Sequence, residues 1–174
     1  MTTTVSLDKI DLKILQALQH NGRLSNVELS ERVALSPSPC LRRLKQLEST
    51  GIIRGYAALV HPSTVALGLQ VFIRVSVDKS THLRDGFADS VRDWPQVLRC
   101  FALTGETDYM LHAFFADMES FSQFILDTLL AHPGVVDARP SFVLQEVKNS
   151  TVLPLDHLQA EYVFIARLLS DWEK

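Results

Sequence analysis

Ser25-Asn26-Val27-Glu28-Leu29, then Ala34-Leu35-Ser36-Pro37-Ser38-Pro39, then Leu41-Arg42-Arg43-Leu44-Lys45 decide how the first third of this chain folds. The first group is a capping box: the Ser25 hydroxyl can accept from the amide three residues on, and Glu28 can reach back to the serine amide. It opens a short helix carrying Leu29 and Val33. Ser36-Pro37 starts the next helix, with a serine at the cap and a proline in the first turn, where a missing N–H costs nothing. In that helix, which runs to Thr50-Gly51, Cys40 or Leu41, Leu44 and Leu47 face inward, while Ser38, Arg42, Lys45 and Ser49 form a separate stripe beside Arg43 and Gln46. An earlier helix, capped by Ser6 or Asp8, carries Ile10, Ile14, Ala17 and Leu18 and ends at Asn21-Gly22. Two short helices joined by a tight turn, the second with a basic outer stripe, are what a helix-turn-helix needs. Ser36 and Ser38, with Pro39 between them and the helix body, stand where hydroxyls meet base edges or phosphates, and Arg42, Arg43 and Lys45 where cations do; Arg54, just beyond, is placed to hold the backbone. A plain three-helix bundle with a solvated basic face satisfies the same pattern.

Charge divides along the chain in the same sense. The 174 residues carry a formal net charge of -3, with 47% hydrophobic and 21% charged residues, which excludes a disordered or fibrous chain. Residues 1–60 hold 8 basic and 5 acidic side chains, or +3; the remainder holds 9 and 15, or -6. A mildly basic head and an acidic body point to two domains with different partners. No apolar run reaches the roughly 18 residues of a membrane span and no cleavable leader is visible, so a cytoplasmic protein is expected. Cys40 and Cys100 form no CxxC, and the six histidines are scattered, so neither a metal nor a cofactor is expected. Cys40, in the first turn of a helix beside arginines, is either a reactive thiol or a small buried filler; Cys100 reads as packing.

After the third helix the periodicity changes. Ile52 to Val60 reads as a β-rich connector ending at His61-Pro62. Strand-like runs lie at Leu69 to Val77, Val97 to Leu103, Tyr109 to Phe115 and Ser141 to Val147. Between them, one helix carries Leu83, Phe87 and Val91 and stops near Trp94-Pro95; another starts at Asp117, carries Phe121, Phe124 and Ile125, and ends at His132-Pro133-Gly134. The order βαββαβ is the ferredoxin-like arrangement, with both helices on one face of an antiparallel sheet and the other face in need of a partner. Beyond Pro154, Leu155, Leu158, Tyr162, Ile165, Ala166 and Leu169 recur at helical spacing, which predicts an added C-terminal helix.

Many fragments carry one resemblance. Leu7-Asp8-Lys9-Ile10-Asp11, Asn21-Gly22-Arg23, Leu35-Ser36-Pro37-Ser38-Pro39-Cys40, Arg43-Leu44-Lys45-Gln46-Leu47-Glu48 and Gly51-Ile52-Ile53-Arg54-Gly55-Tyr56 occur in order, followed by Thr104-Gly105-Glu106-Thr107-Asp108-Tyr109, His132-Pro133-Gly134-Val135 and Glu146-Val147-Lys148 with Leu153-Pro154-Leu155. Together they closely resemble the Lrp/AsnC (feast/famine) family of prokaryotic transcription regulators. The resemblance implies an α+β protein: a three-helix winged helix-turn-helix over 1–52, a β-strand hinge over 53–66 and a ferredoxin-like effector and oligomerisation domain over 67–155, to which this chain adds a helical extension over 156–174. It further implies a non-enzymatic, sequence-specific regulator that binds double-stranded DNA, associates with the nucleoid, and forms a homodimer that assembles into higher oligomers such as an octamer. Small effectors, usually amino acids, bind that family's equivalent of the Gly105 turn at a subunit interface. A ligand-independent architectural DNA compactor is the alternative.

The residues of that turn admit both a site and a plain hairpin. An amino acid needs a carboxylate near its ammonium and free amides near its carboxylate, and Gly105, Glu106, Thr107, Asp108 and Tyr109 can supply them. Equally, Gly105 can simply permit the turn and Asp108 cap it. Where the resemblance expects a threonine-rich start to the last strand, this chain reads Ala138-Arg139-Pro140-Ser141-Phe142. Proline there suits an edge strand or a bulge better than a strand interior, Ser141 offers a hydroxyl, and Arg139 is available to an effector carboxylate. A body without a nucleophile-base pair, carboxylate dyad or phosphate loop argues against an enzyme.

Overall fold

The computed structural model describes residues 2–78, 80–158 and 162–167. They form two compact units, one from the chain up to Ala58 together with Lys148 onward, the other from Leu59 to Val147. No helix among the described residues is long and apolar enough to cross a membrane.

The first unit contains β1 (Thr2–Leu7), α1 (Lys9–His20), α2 (Asn26–Arg32) and α3 (Pro37–Ser49). Of the two expected caps for α1, Asp8 is the one used: its Oδ1 accepts from the Ile10 and Asp11 amides at 2.8 and 2.9 Å, and Asp11 returns the bond to the Asp8 amide at 3.1 Å. Ser25 and Glu28 form the expected capping box on α2. Leu7, Ile14, Leu29, Val33, Cys40 and Leu47 make the core, so Cys40 rather than Leu41 is the inward residue of α3; Leu41 is exposed. The returning segment docks on α1 through a reciprocal amide pair, with Leu153 N–H donating to Gln19 Oε1 at 2.6 Å and Gln19 Nε2 to the Leu153 carbonyl at 3.3 Å.

Two expectations fail in this part of the chain. The connector after α3 belongs to no sheet over residues 54–60, since no strand among the described residues pairs with it. The C-terminal segment is not helical where it is described: Tyr162–Arg167 is a strand, β6, antiparallel to β1 with Val5 opposite Phe164. Tyr162-Val163-Phe164-Ile165 favours β structure by side-chain type, and the Thr2-Thr3-Thr4-Val5 run supplies a matching edge; that pairing overrides a helical spacing. Leu169 lies outside the described residues.

The second unit opens with a short 3-10 turn, Pro62–Val65. It continues through β2 (Leu69–Val77), α4 (Thr81–Arg92), β3 (Val97–Ala102), β4 (Tyr109–Phe115), α5 (Met118–Gln123), a π-helical turn at Phe124–Leu129 and β5 (Val135–Phe142). The sheet is antiparallel in the order β3-β4-β2-β5, the ferredoxin-like topology. The period-2 alternation of β2 and β4 sends Val71, Ile73, Val75, Val77, Leu111, Ala113 and Phe115 to the face covered by Phe87 and Val91 of α4 and by Phe121, Phe124 and Leu129. The other face, carrying Phe72, Arg74, Met110, His112 and Phe114, has no layer over it among the described residues.

The last strand is displaced from its expected place at Ser141 to Val147. It begins at Val135, after the helical segment has ended at Leu129 and the chain has turned through Pro133-Gly134, and Leu144 and Val147 are left almost fully exposed outside the ladder. Pro140 falls within it, opposite Ile73, on an edge strand as its missing N–H demands. Cys100, expected to pack, is exposed because β3 is the opposite edge.

Candidate DNA-reading helix and effector turn

The turn between α2 and α3 is closed by Leu35 N–H donating to the Ser30 carbonyl at 2.9 Å, with Ala34 in the left-handed region at φ 56°. Asn26 Nδ2 donates to the Pro37 carbonyl at 2.9 Å and ties the start of α2 to the start of α3. Ser36 caps α3 by position alone, since its side chain makes no capping bond; its hydroxyl and that of Ser38 remain exposed. Arg42, Lys45, Gln46 and Ser49 continue that exposed side, Arg54 is exposed beyond the helix, and Pro39 is half-buried at its base. A row of hydroxyls and cations on one side of a helix N-terminus is suited to the major groove and its flanking phosphates.

Arg43 does not join that row. Its Nη1 donates to Asp8 Oδ2 at 2.7 Å and to Asp11 Oδ1 at 2.9 Å, so its guanidinium is spent inside the unit, fastening α3 to the N-terminus of α1. Burial pushes the Asp8 carboxyl up, but the Asp11 amide, the Arg43 guanidinium and the Ile10 amide hold it below its ordinary value. Sequence spacing could not separate Arg42 from Arg43, because a residue one step along a helix turns by about 100° and only the position of α1 decides which of the two meets a carboxylate. Tyr56 was also missed: its hydroxyl donates to Glu48 Oε1 at 2.9 Å, its ring lies over Gly22, and burial and then Glu48 push its phenol up to about 12. Cys40 is fully buried and burial pushes its thiol up, the opposite of what a reactive thiolate requires.

In the second unit, Leu103 N–H donates to the Asp108 carbonyl at 2.8 Å and closes the turn before β4. Gly105 takes φ 116°, a conformation that side chains rarely adopt, so the backbone requires glycine there. Asp108 serves β2 twice: its amide donates to the Val75 carbonyl at 3.1 Å, and its Oδ2 accepts from the Val77 amide at 2.9 Å. Gly105, Glu106, Thr107 and Asp108 therefore stand together in one turn against the end of β2. Tyr109 leaves it, packing its ring 4.9 Å from that of Phe87 in the core. Ser141 is exposed on β5, opposite Phe72 and separated from the turn by β2.

Comparison with known proteins matches this layout unit by unit. The winged helix-turn-helix DNA-binding model fits residues 7–54, and the Lrp/AsnC ligand binding domain fits residues 70–153. Over 148 residues, 84% of this chain and 90% of the relative, it is 40% identical to the leucine-responsive regulatory protein of Escherichia coli (strain K12). The chain belongs to the Lrp/AsnC family. Among solved members, it is similar to a transcriptional regulator from Neisseria meningitidis in complex with L-Met, with a TM-score of 0.86 and 70% identity, covering 88% of this chain and 99% of that one. It is also similar to an AsnC family transcriptional regulator from Agrobacterium tumefaciens, with a TM-score of 0.82 and 30% identity, covering 88% and 100%. As an Lrp/AsnC protein this chain is a DNA-binding transcription regulator with a ligand-binding domain, and its relatives are regulators rather than enzymes.

Proposed function

We propose that this Lrp/AsnC regulator reads DNA through Ser36, Ser38, Arg42, Lys45 and Arg54, with Pro39 shaping the helix start, and answers an apolar amino acid, L-methionine or a close analogue, held at Gly105, Glu106, Thr107 and Asp108. The observation that carries the effector reading is the 70% identity to a regulator solved with L-Met. The turn adds a chemical reason: peptide N–H groups beside a carboxylate complement the two charged ends of an amino acid. Isothermal calorimetry of the whole protein with L-methionine tests it, and saturable binding that alters operator affinity is expected. Absence of binding, together with DNA affinity of low sequence preference, would instead favour a ligand-independent compactor.

The chain works as a homodimer and assembles further, up to an octamer, in the cytoplasm on chromosomal DNA. The reason is the open sheet face: Phe72, Met110, His112 and Phe114 are half-buried and Phe101 is 47% exposed, an apolar patch that a second copy would remove from water. Light scattering at micromolar concentration should give a dimer or a multiple of one; a monomer overturns this assembly. Paired heads would then read half-sites a whole number of turns apart, about 34 Å each.

A further inference from the structure

We infer that Leu41 reads a thymine in the major groove, its side chain packing on the 5-methyl group of the base. This contact rests on the DNA reading proposed above and deepens it, adding recognition of a base where the neighbouring cations meet phosphate.

Ten leucines lie between residues 1 and 58. Three are buried in the core of the first unit and six more pack against it half-buried, which accounts for nine. Leu41 is the one left out, with 39% of its surface exposed. The cause is the register of α3. Cys40 and Leu47 hold the inward line and Leu44 flanks it, and since each step along a helix turns by about 100°, the residue after Cys40 is carried out of the core.

Leu41 emerges within the exposed row of hydroxyls and cations. Ser38 precedes it by three residues and Lys45 follows by four, the spacings that bring helical side chains together, and all three are exposed. It is the fifth of the thirteen residues of α3, in the half of a reading helix that meets base edges. Seven residues on, along the same line of the helix, stands Glu48, a carboxylate that phosphate would repel. It accepts instead from the Tyr56 hydroxyl, so the DNA-facing side is bounded there and Leu41 falls within its first two turns.

The chemistry of an alkyl side chain selects the base. Against a phosphate or a hydrogen-bonding base edge it would only desolvate a polar group, at a cost. Adenine, guanine and cytosine present donors and acceptors in the major groove, whereas thymine adds a methyl group at C5. Closing Leu41 on that methyl group takes apolar surface of both partners out of water.

Uracil keeps every donor and acceptor of thymine and lacks only the methyl group, so it isolates this contact. Full-length protein selects duplexes from a random-sequence pool, and each selected duplex is made once with dT and once with dU. The wild type should bind the dT form about fourfold more tightly for each methyl contact, the factor that burying one such group is worth. Leu41→Ser should bind both forms alike, since a hydroxyl bonds equally to the O4 of thymine and of uracil, and should melt with the wild type. Arg42→Ala should weaken both forms and keep the ratio. Wild-type indifference to the methyl group, or an unchanged ratio in Leu41→Ser, overturns the inference and leaves the DNA reading intact. If no sequence is enriched, the sequence-specific reading fails by itself, and alternating poly(dA-dT) against poly(dA-dU) decides Leu41 by the same ratios. Failure to bind either polymer overturns the DNA reading and the Leu41 contact together.

Discussion

Arg43, on the DNA-reading helix, donates at 2.9 Å to the nearly buried carboxylate of Asp11 on α1, and its bond to Asp8 at 2.7 Å makes the contact a three-residue clasp. The guanidinium that looks from sequence like a DNA contact is therefore an orienting strut. Arg42→Ala or Lys45→Ala should lower the slope of log affinity against log salt by about 0.9 each, the signature of a lost phosphate contact. Arg43→Ala should leave that slope unchanged while costing about 2 kcal/mol of stability, because it strands a poorly solvated Asp11. Salt titrations of operator binding alongside chemical denaturation separate the two; a slope change in Arg43→Ala without loss of stability would return this residue to the DNA surface.

His112 stacks on Phe72 with ring centroids 4.6 Å apart and lies 2.7 Å from Gln70 Nε2 through its own Nε2. Burial lowers its pKa, Arg99 lowers it further, and Glu146 opposes them. A histidine held below its unfolded value of about 6.5 takes up its proton more readily when unfolded. Its stability contribution is thus present above pH 6.5 and is lost as pH falls from there through the folded value. Thermal melts from pH 7.5 to 5 should fall in the wild type and fall less in His112→Phe; parallel curves would rule out this residue as the source.

Asp108 both caps β2 and stands in the effector turn, and two substitutions tell these roles apart. Asp108→Asn keeps an oxygen acceptor for the Val77 amide bond at 2.9 Å but removes the negative charge. It should retain fold and DNA binding while losing effector response. Asp108→Ala should also lose about 1 kcal/mol of stability with the hydrogen bond. A full response in Asp108→Asn, read as the ligand-induced change in operator affinity, would remove the carboxylate from the site.

Ala34 adopts φ 56° in the helix-turn-helix turn, and the strain of a Cβ there is relieved by glycine. Ala34→Gly should raise stability by up to about 1 kcal/mol after the added freedom of the unfolded chain is deducted. Gly105→Ala should act in the opposite sense, since φ 116° admits a side chain poorly. Denaturation midpoints check both; a less stable Ala34→Gly would mean that the turn is held by contacts of the alanine methyl group.

Local chemistry determined much of this protein before any long-range contact is considered. The capping box at Ser25, the helix start at Asp117, the proline start of α3 and the glycine of the Gly105 turn act over three or four residues, so their spacing suffices to read them. Period-2 runs such as Leu69–Val77 carry their buried face with them, which made the βαββαβ order legible and, with it, two domains of opposite charge. Pairing across long separations decided the rest. Whether Tyr162–Arg167 is a strand depends on β1, far away in sequence, and whether 54–60 is one depends on a partner strand, which none of the described residues supplies. The clasp from Arg43 to Asp8 and Asp11 and the facing of Arg74 and Arg139 belong to the same class. Each joins charges far apart in sequence, and electrostatic energy depends on distance in space, which only the folded backbone sets.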